Sequence, residues 1–270
     1  MGFPDVYSED FVKRAEEVAA QQCAPLKDDP RMLGYFLGNE PVFPGQELLV
    51  TEAFLKGPDT QTKEKLKRYL ALGDTPERRI AFVHNAYRRF LKIVVNAVRK
   101  YDPNHLVLGM RYGNLDISDD VIMMAKIFDV FSFNRYTYTL PAEKLDHIDS
   151  LLDMPILVGE FHFGVPGRGL AEGLAQVADQ QQRGVAYRNY VENAFAHPAV
   201  VATFWYRWRD QPVTGRDDGE NYNIGMVDVT DLMYRDLVNA VIETHRRVYD
   251  VHRGILPPFS QLPEGIFWEK

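Results

Sequence analysis

Apolar residues recur at helical spacing through Phe11, Ala15, Val18 and Ala19, predicting an amphipathic helix from a Ser8 N-cap to about Ala24, where Pro25 ends it. The next apolar run, Met32 to Phe36 (MLGYF), is short and closed by Gly38-Asn39-Glu40-Pro41, which reads as a first strand. Residues 42–75 form an unusually long connection with one short helix expected around Lys63 to Leu72; insertions of this size usually shape or cover a site. Thr75-Pro76-Glu77 is a strong helix start, and the periodic positions Phe82, Ala86, Tyr87, Phe90, Val94 and Val98 carry that helix to Tyr101. Asp102-Pro103-Asn104 breaks it.

The alternation then repeats. Leu106 to Tyr112 is a second strand, Ser118 to Phe128 a helix, Val130 to Tyr136 a third strand, and Ala142 to Asp153 a helix. Ile156 to His162 is a fourth strand, followed by a glycine-rich loop and a helix from about Asp179 to Ala196. Val200 to Trp208 is a fifth strand, and a helix from about Leu232 to Val251 precedes an irregular, proline-interrupted tail from Gly254. Five buried-looking strands, each followed by a helix, call for a parallel sheet with helical crossovers. The order alone permits a doubly wound sheet or a barrel, and no Gly-x-Gly-x-x-Gly turn follows a strand to support a dinucleotide fold.

Composition narrows the function classes. With 46% apolar and 26% charged residues over 270 positions, the chain reads as globular, and no apolar run approaches the ~18 residues of a membrane span. Thirty-one basic against 38 acidic residues, net charge −7, argue against nucleic acid as a partner. Cys23 is the only cysteine, which excludes an internal disulfide and a multi-cysteine metal site, and among Ala19, Ala20 and Ala24 it reads as a packing residue. Nothing calls for a metal or a cofactor. The opening Met1-Gly-Phe-Pro-Asp has no basic segment followed by an apolar one, so no secretory signal is expected in these residues.

In a β/α barrel, chemistry lies at the C-terminal ends of the strands. Here those ends carry Asn39-Glu40, Arg111-Tyr112, Asn134-Arg135-Tyr136, Glu160-Phe161-His162 and Trp205-Tyr206-Arg207-Trp208. A single glutamate at a strand end needs no special account. Two, with Asn, Arg, Tyr, His and Trp at equivalent ends, suit glycoside hydrolysis, in which one carboxyl protonates the leaving oxygen and another attacks the anomeric carbon from about 5 Å away. Tryptophan and tyrosine would supply faces for sugar rings.

These segments resemble a known family. LGYFLGNEP around Glu40 resembles the fourth-strand Asn-Glu-Pro signature of clan A retaining glycoside hydrolases, and ILVGEFHFG around Glu160 the seventh-strand nucleophile segment. With KYDPNHLVLGMRY, FWYRWRDQPVTGR and DGENYNIGMVDV, the chain is most similar to the β-agarases of glycoside hydrolase family 50, and more distantly to family 42 β-galactosidases. The resemblance implies a (β/α)8 TIM-barrel fold and a two-glutamate, retaining mechanism on β-linked galactose-containing glycans. It makes Glu40 the acid/base and Glu160 the nucleophile; Asn39, Arg111 and His162 become substrate or supporting contacts, and Trp205 the sugar platform. Either Tyr136 or Tyr138 would hold Glu160 ionised. Related enzymes are often secreted.

Numbered along a complete barrel, the strands here match the fourth to the eighth, and the first three have no counterpart. The expectation is therefore one partial barrel domain over residues 1–270, with the 42–75 insertion and the 254–270 tail. A five-stranded piece leaves open strand edges, for which a homo-oligomer, a dimer first, is the expected cover. A truncated, inactive or purely carbohydrate-binding relative is the alternative.

Overall fold

The structure, a computed structural model, describes residues 3–264. The described residues alternate as expected: α1 (Glu9–Gln22), β1 (Gly34–Tyr35), α2 (Glu47–Lys56), α3 (Gln61–Leu70), α4 (Pro76–Tyr101), β2 (Leu106–Val107), α5 (Asp119–Met124), β3 (Phe131–Asn134), α6 (Ala142–Leu152), β4 (Ile156–Phe161), α7 (Gln180–Ala196), β5 (Val200–Trp205) and α8 (Arg235–His252). The strands form two small parallel sheets, one of β1 and β2, the other in the order β3-β4-β5. Among the described residues no helix is long and apolar enough to cross a membrane. Contacts divide the chain into two compact units, Met1–Phe131 with Ser150–Met154, and Ser132–Asp149 with Pro155–Lys270.

In the first unit the helix starts follow the sequence chemistry. Ser8 Oγ accepts from Phe11 N at 3.1 Å, and Thr75 Oγ1 from Arg78 N at 3.4 Å, each satisfying an amide that a first helical turn leaves without a partner. The 26 residues of α4, about 39 Å of helix at 1.5 Å per residue, bury Phe82, Val83, Ala86, Tyr87, Leu91, Val95 and Val98. Val6, Leu66, Leu70, Phe82 and Ala86 form a core that joins the segment before α1 to α3 and α4. Asp5 strengthens that junction. Its Oδ2 accepts from Gln61 N at 2.9 Å, and its Oδ1 from Thr62 N at 2.7 Å and Thr62 Oγ1 at 2.6 Å. Cys23 is buried, which pushes its thiol up from the usual range, in keeping with a packing role.

Two expectations change here. The 42–75 insertion holds two helices, α2 and α3, rather than one. The sequence hides α2 because its N-cap Gln46 makes no side-chain capping bond and its Leu48 and Leu49 are exposed, so neither cap nor periodicity marks it. The strand ladders are also shorter than the apolar runs. After Val107 the second strand gives way to Gly109 at φ 87° and Arg111 at φ 45°, left-handed backbone that no regular strand contains. Backbone bonds nevertheless continue along the run, from Leu108 N to Tyr35 O at 2.8 Å, Leu37 N to Gly109 O at 2.9 Å and Glu40 N to Arg111 O at 3.0 Å.

The second unit is built on β4, whose Ile156, Leu157, Val158, Gly159 and Phe161 are buried. It pairs in parallel with β5, and the register shifts between Ile156 and Leu157 and again between Val158 and Phe161. Around its C-terminal end an aromatic core assembles: Phe161 stacks on Tyr190 at 4.5 Å between centroids and meets Trp205 edge-on at 5.2 Å. The expected tail is irregular from Gly254 to Glu264 and runs over α7, where Phe259 N donates to Glu192 Oε2 at 3.0 Å and Glu264 N to Gln182 Oε1 at 2.8 Å. The last residues of the expected 254–270 tail, from Gly265 to Lys270, lie outside the described residues.

Candidate active site

Glu40 and its neighbours belong to the first unit. Glu40 follows β1 at φ 48°, a conformation that costs a non-glycine residue about 1–3 kcal/mol, and Arg111, whose carbonyl receives the Glu40 amide, is left-handed too. Backbone strain of this kind concentrates at working sites. The carboxylate arm rests against Gly113: a Cβ there would stand 3.3 Å from Glu40 Cγ and 3.4 Å from its Cδ. Any side chain there would push the arm aside by a few tenths of an ångström. Asn39 is exposed and lines an apolar cavity of about 620 Å³ with Leu37, Phe43, Phe54, Tyr87 and Met110. The Arg111 guanidinium lies over the Phe36 ring, 5.0 Å from its centroid.

Glu160 and its neighbours belong to the second unit. Glu160 is the half-buried residue of an otherwise buried strand end, and its backbone carbonyl accepts from Arg135 N at 2.9 Å. The Tyr136 hydroxyl donates to Glu160 Oε2 at 2.6 Å, a charge-assisted bond. Tyr138 goes elsewhere, donating to the Gln176 carbonyl at 2.7 Å. Two-residue spacing puts both rings on one side only while the chain stays extended, and β3 ends at Asn134, so the two tyrosines part. Of the two candidates, Tyr136 is the one on the carboxylate.

His162 is 1% exposed, with both ring nitrogens engaged: Nδ1 with the Tyr206 carbonyl at 3.1 Å, Nε2 accepting from Leu174 N at 2.9 Å. Burial drives its pKa down to about 3, and the partners fix one neutral tautomer with the proton on Nδ1. Of the two expected roles, substrate or supporting contact, this geometry suits the supporting one: the ring ties the backbone just past β5 to the glycine-rich loop and packs against Tyr136 at 4.5 Å. The loop needs its glycine here, since a Cβ at Gly173, φ 78°, would stand 2.7 Å from His162 Nε2.

Trp205 is likewise more engaged than a free platform. Its indole N–H donates to the Ile224 carbonyl at 2.9 Å, and Phe161, Phe163 and Tyr187 pack around it. Beneath it lies Arg183, fully buried, donating to the carbonyls of Phe163 and Gly225 at 2.8 Å each. Desolvation lowers its pKa to about 10 while Asp210 pulls in the opposite direction. Arg183 ties β4, α7 and the 209–227 loop into one support. Trp208, three residues on, is 69% exposed. Sequence reasoning passed over Gly113, Arg183 and the Tyr206–Arg216 hydrogen bond, because none carries a local signal; each matters through residues distant in the chain.

No family model matches the chain. It is 35% identical over 164 residues to β-agarase B of Vibrio sp. (strain JT0107), covering 60% of this chain and 17% of that protein. This chain is a relative of β-agarases. Among solved structures, an agarase, AgWH50C, superimposes with a TM-score of 0.81 at 28% identity, covering 93% of this chain and 41% of that one. A structure described as an exo-β-agarase gives a TM-score of 0.81 at 28% identity, covering 93% and 39%. The chain thus spans about a sixth of the curated β-agarase it matches and about two fifths of the agarases whose fold it shares.

Proposed function

We propose that this chain carries the catalytic carboxylates of a retaining glycoside hydrolase for β-linked galactose-containing glycans, agar oligosaccharides first. Glu160 attacks the anomeric carbon through a carboxylate oxygen as Glu40 gives its proton to the leaving glycosidic oxygen; the ester formed on Glu160 is then cleaved by a water from which Glu40 takes a proton back. Tyr136 keeps Glu160 oriented, Asn39 and Arg111 bind sugar hydroxyls, and Trp205 backs the aromatic face of the site. The observation that carries the reading is the Tyr136 hydroxyl at 2.6 Å from Glu160 Oε2, at a parallel strand's C-terminal end. The similarity to agarases supplies the substrate class.

The five β/α steps are read as the fourth to eighth of a TIM-type barrel. The partial coverage of the agarases supports a second reading, a chain that holds the glycan without turning it over. In its sheet β5 is the last strand, and Val201 on it is exposed, so we read a second copy of the chain as the cover for that edge. Turnover of agaro-oligosaccharides or an aryl β-galactoside, followed by NMR of the first-formed anomer, tests the first reading. Retained β-configuration, abolished in Glu40→Gln and in Glu160→Gln, supports it. Binding with no product supports the second, and cleavage of β-glucosides alone removes the substrate assignment. Light scattering giving a stable 31.0 kDa species would remove the dimer.

A further inference from the structure

A second, basic concavity of about 640 Å³ lies within the first unit, between the start of α1 and the helices α3 and α4, and shares no residue with the strand-end clusters. Lys65, Arg68 and Arg89 line it with Tyr7 and Tyr69. The side chains are arranged rather than scattered. Lys65 Nζ stands 4.9 Å and the Arg89 guanidinium 5.3 Å from the centroid of the same ring, Tyr7, and Arg89 Nε is fixed on the Val6 carbonyl at 2.7 Å. Arg78 lies 4.3 Å over the neighbouring Tyr69 ring.

What makes the cluster informative is its want of acid. The chain has net charge −7, and elsewhere in this unit basic side chains meet carboxylates, as in Lys56–Glu52, Lys63–Asp59, Arg79–Asp74, Arg99–Asp129 and Lys100–Glu16. The one carboxylate lining the concavity, Glu64, is paired with Lys67 at 3.1 Å. Among the described residues Lys65, Arg68 and Arg89 have no ion-pair partner. Gathering like charges around one ring raises the energy of the empty pocket, and a bound anion removes that cost.

We propose that this pocket binds the anionic substituent, a sulfate ester or carboxylate, of a saccharide chain, with guanidinium and ammonium groups on the oxyanion and the tyrosine hydroxyls beside it. The saccharide half of the proposal rests on the glycan reading above, and the anion half does not. Binding is measured by calorimetry on the full chain carrying both Glu40→Gln and Glu160→Gln, with the oligosaccharide sized before and after the titration so that any residual hydrolysis is seen. The probes are a sulfated galacto-oligosaccharide, the same oligosaccharide desulfated, inorganic sulfate, and a single-stranded oligonucleotide of equal charge. The sulfated sugar is expected to bind at least about tenfold more tightly than the desulfated one at low salt, with the advantage shrinking as salt rises. Lys65→Ala with Arg68→Ala brings the ratio to about one, whereas Lys65→Arg with Arg68→Lys retains it; thermal melts confirm that both fold. A ratio near one in the parent chain, or one unchanged in the alanine variant, overturns the proposal. Inorganic sulfate binding as tightly as the sulfated sugar reduces the pocket to an adventitious ion only, and equal binding of the oligonucleotide removes the saccharide.

Discussion

The two units present their glutamates by different means. In the first, Glu40 stands beyond a two-residue strand on left-handed backbone; its amide is held by a carbonyl that is itself left-handed, and its side chain is given room by Gly113. In the second, Glu160 sits in ordinary extended backbone near the end of a six-residue strand, and is held by a tyrosine hydroxyl backed by a buried histidine and a stacked aromatic core. Backbone presentation costs local strain and fixes the origin of the arm. Side-chain presentation costs buried polar groups, each of which must be matched, and fixes its tip. The roles proposed fit this division, since an acid/base must shift between two oxygens during turnover, while a nucleophile works from one position.

The comparison breaks first if the carboxylates are not the reacting groups. Glu160→Gln and Glu40→Gln are each expected to lower kcat by about 10³-fold or more in steady-state assays, and a variant retaining full activity names the wrong residue. Tyr136→Phe removes a bond to a charged group worth about 1.5–3 kcal/mol, so kcat should fall about 10- to 100-fold with KM changed far less. Gly113→Val, which crowds the Glu40 arm, should cost about tenfold in kcat while the melting temperature stays close to that of the parent; an equal fall in both would make Gly113 merely structural. His162 supplies a pH signature peculiar to the second unit. Its folded pKa of about 3 lies below the unfolded value of about 6.5, so the unfolded chain binds the extra proton between them. Stability is therefore full above about pH 6.5 and falls by up to ~1.4 kcal/mol per pH unit on acidification; His162→Gln should flatten urea midpoints measured between pH 7 and 5. Smallest of all, Tyr138→Phe should cost about 1 kcal/mol of stability and leave kcat within about twofold, which separates it from its neighbour two residues away.

The helices were largely legible because their signals are local. Ser8, Thr75 with Pro76, and Asp179 mark starts that the structure confirms by capping bonds. The candidate glutamates were legible because they follow apolar runs, a pattern that survives even where the ladder is short. What could not be read were choices made in three dimensions. Tyr136 and Tyr138 are equivalent by spacing and differ only because the strand stops at Asn134. The run VVATFWYRW does not say that Trp205 is half-buried against Phe161 and Tyr187 while Trp208 is exposed. Nor does it disclose that a buried arginine from α7, 22 residues earlier at Arg183, fixes the loop behind it. The helix α2 was missed for the opposite reason, having neither a capping side chain nor a one-sided apolar face to announce it.

The clasp of Asp5 on α3 has a consequence for hydrogen exchange. The first amides of a helix have no acceptor within it and normally trade their hydrogens with solvent freely. At Gln61 and Thr62 those amides are occupied by a carboxylate from 56 and 57 residues earlier. Burial opposes the charge on Asp5, but the Thr62 hydroxyl and the two amides outweigh it and keep its pKa below the usual value. Both amides should therefore exchange slowly at neutral pH and lose protection together as acid titrates Asp5, reporting the grip of the chain's opening segment on a helix it never touches in sequence.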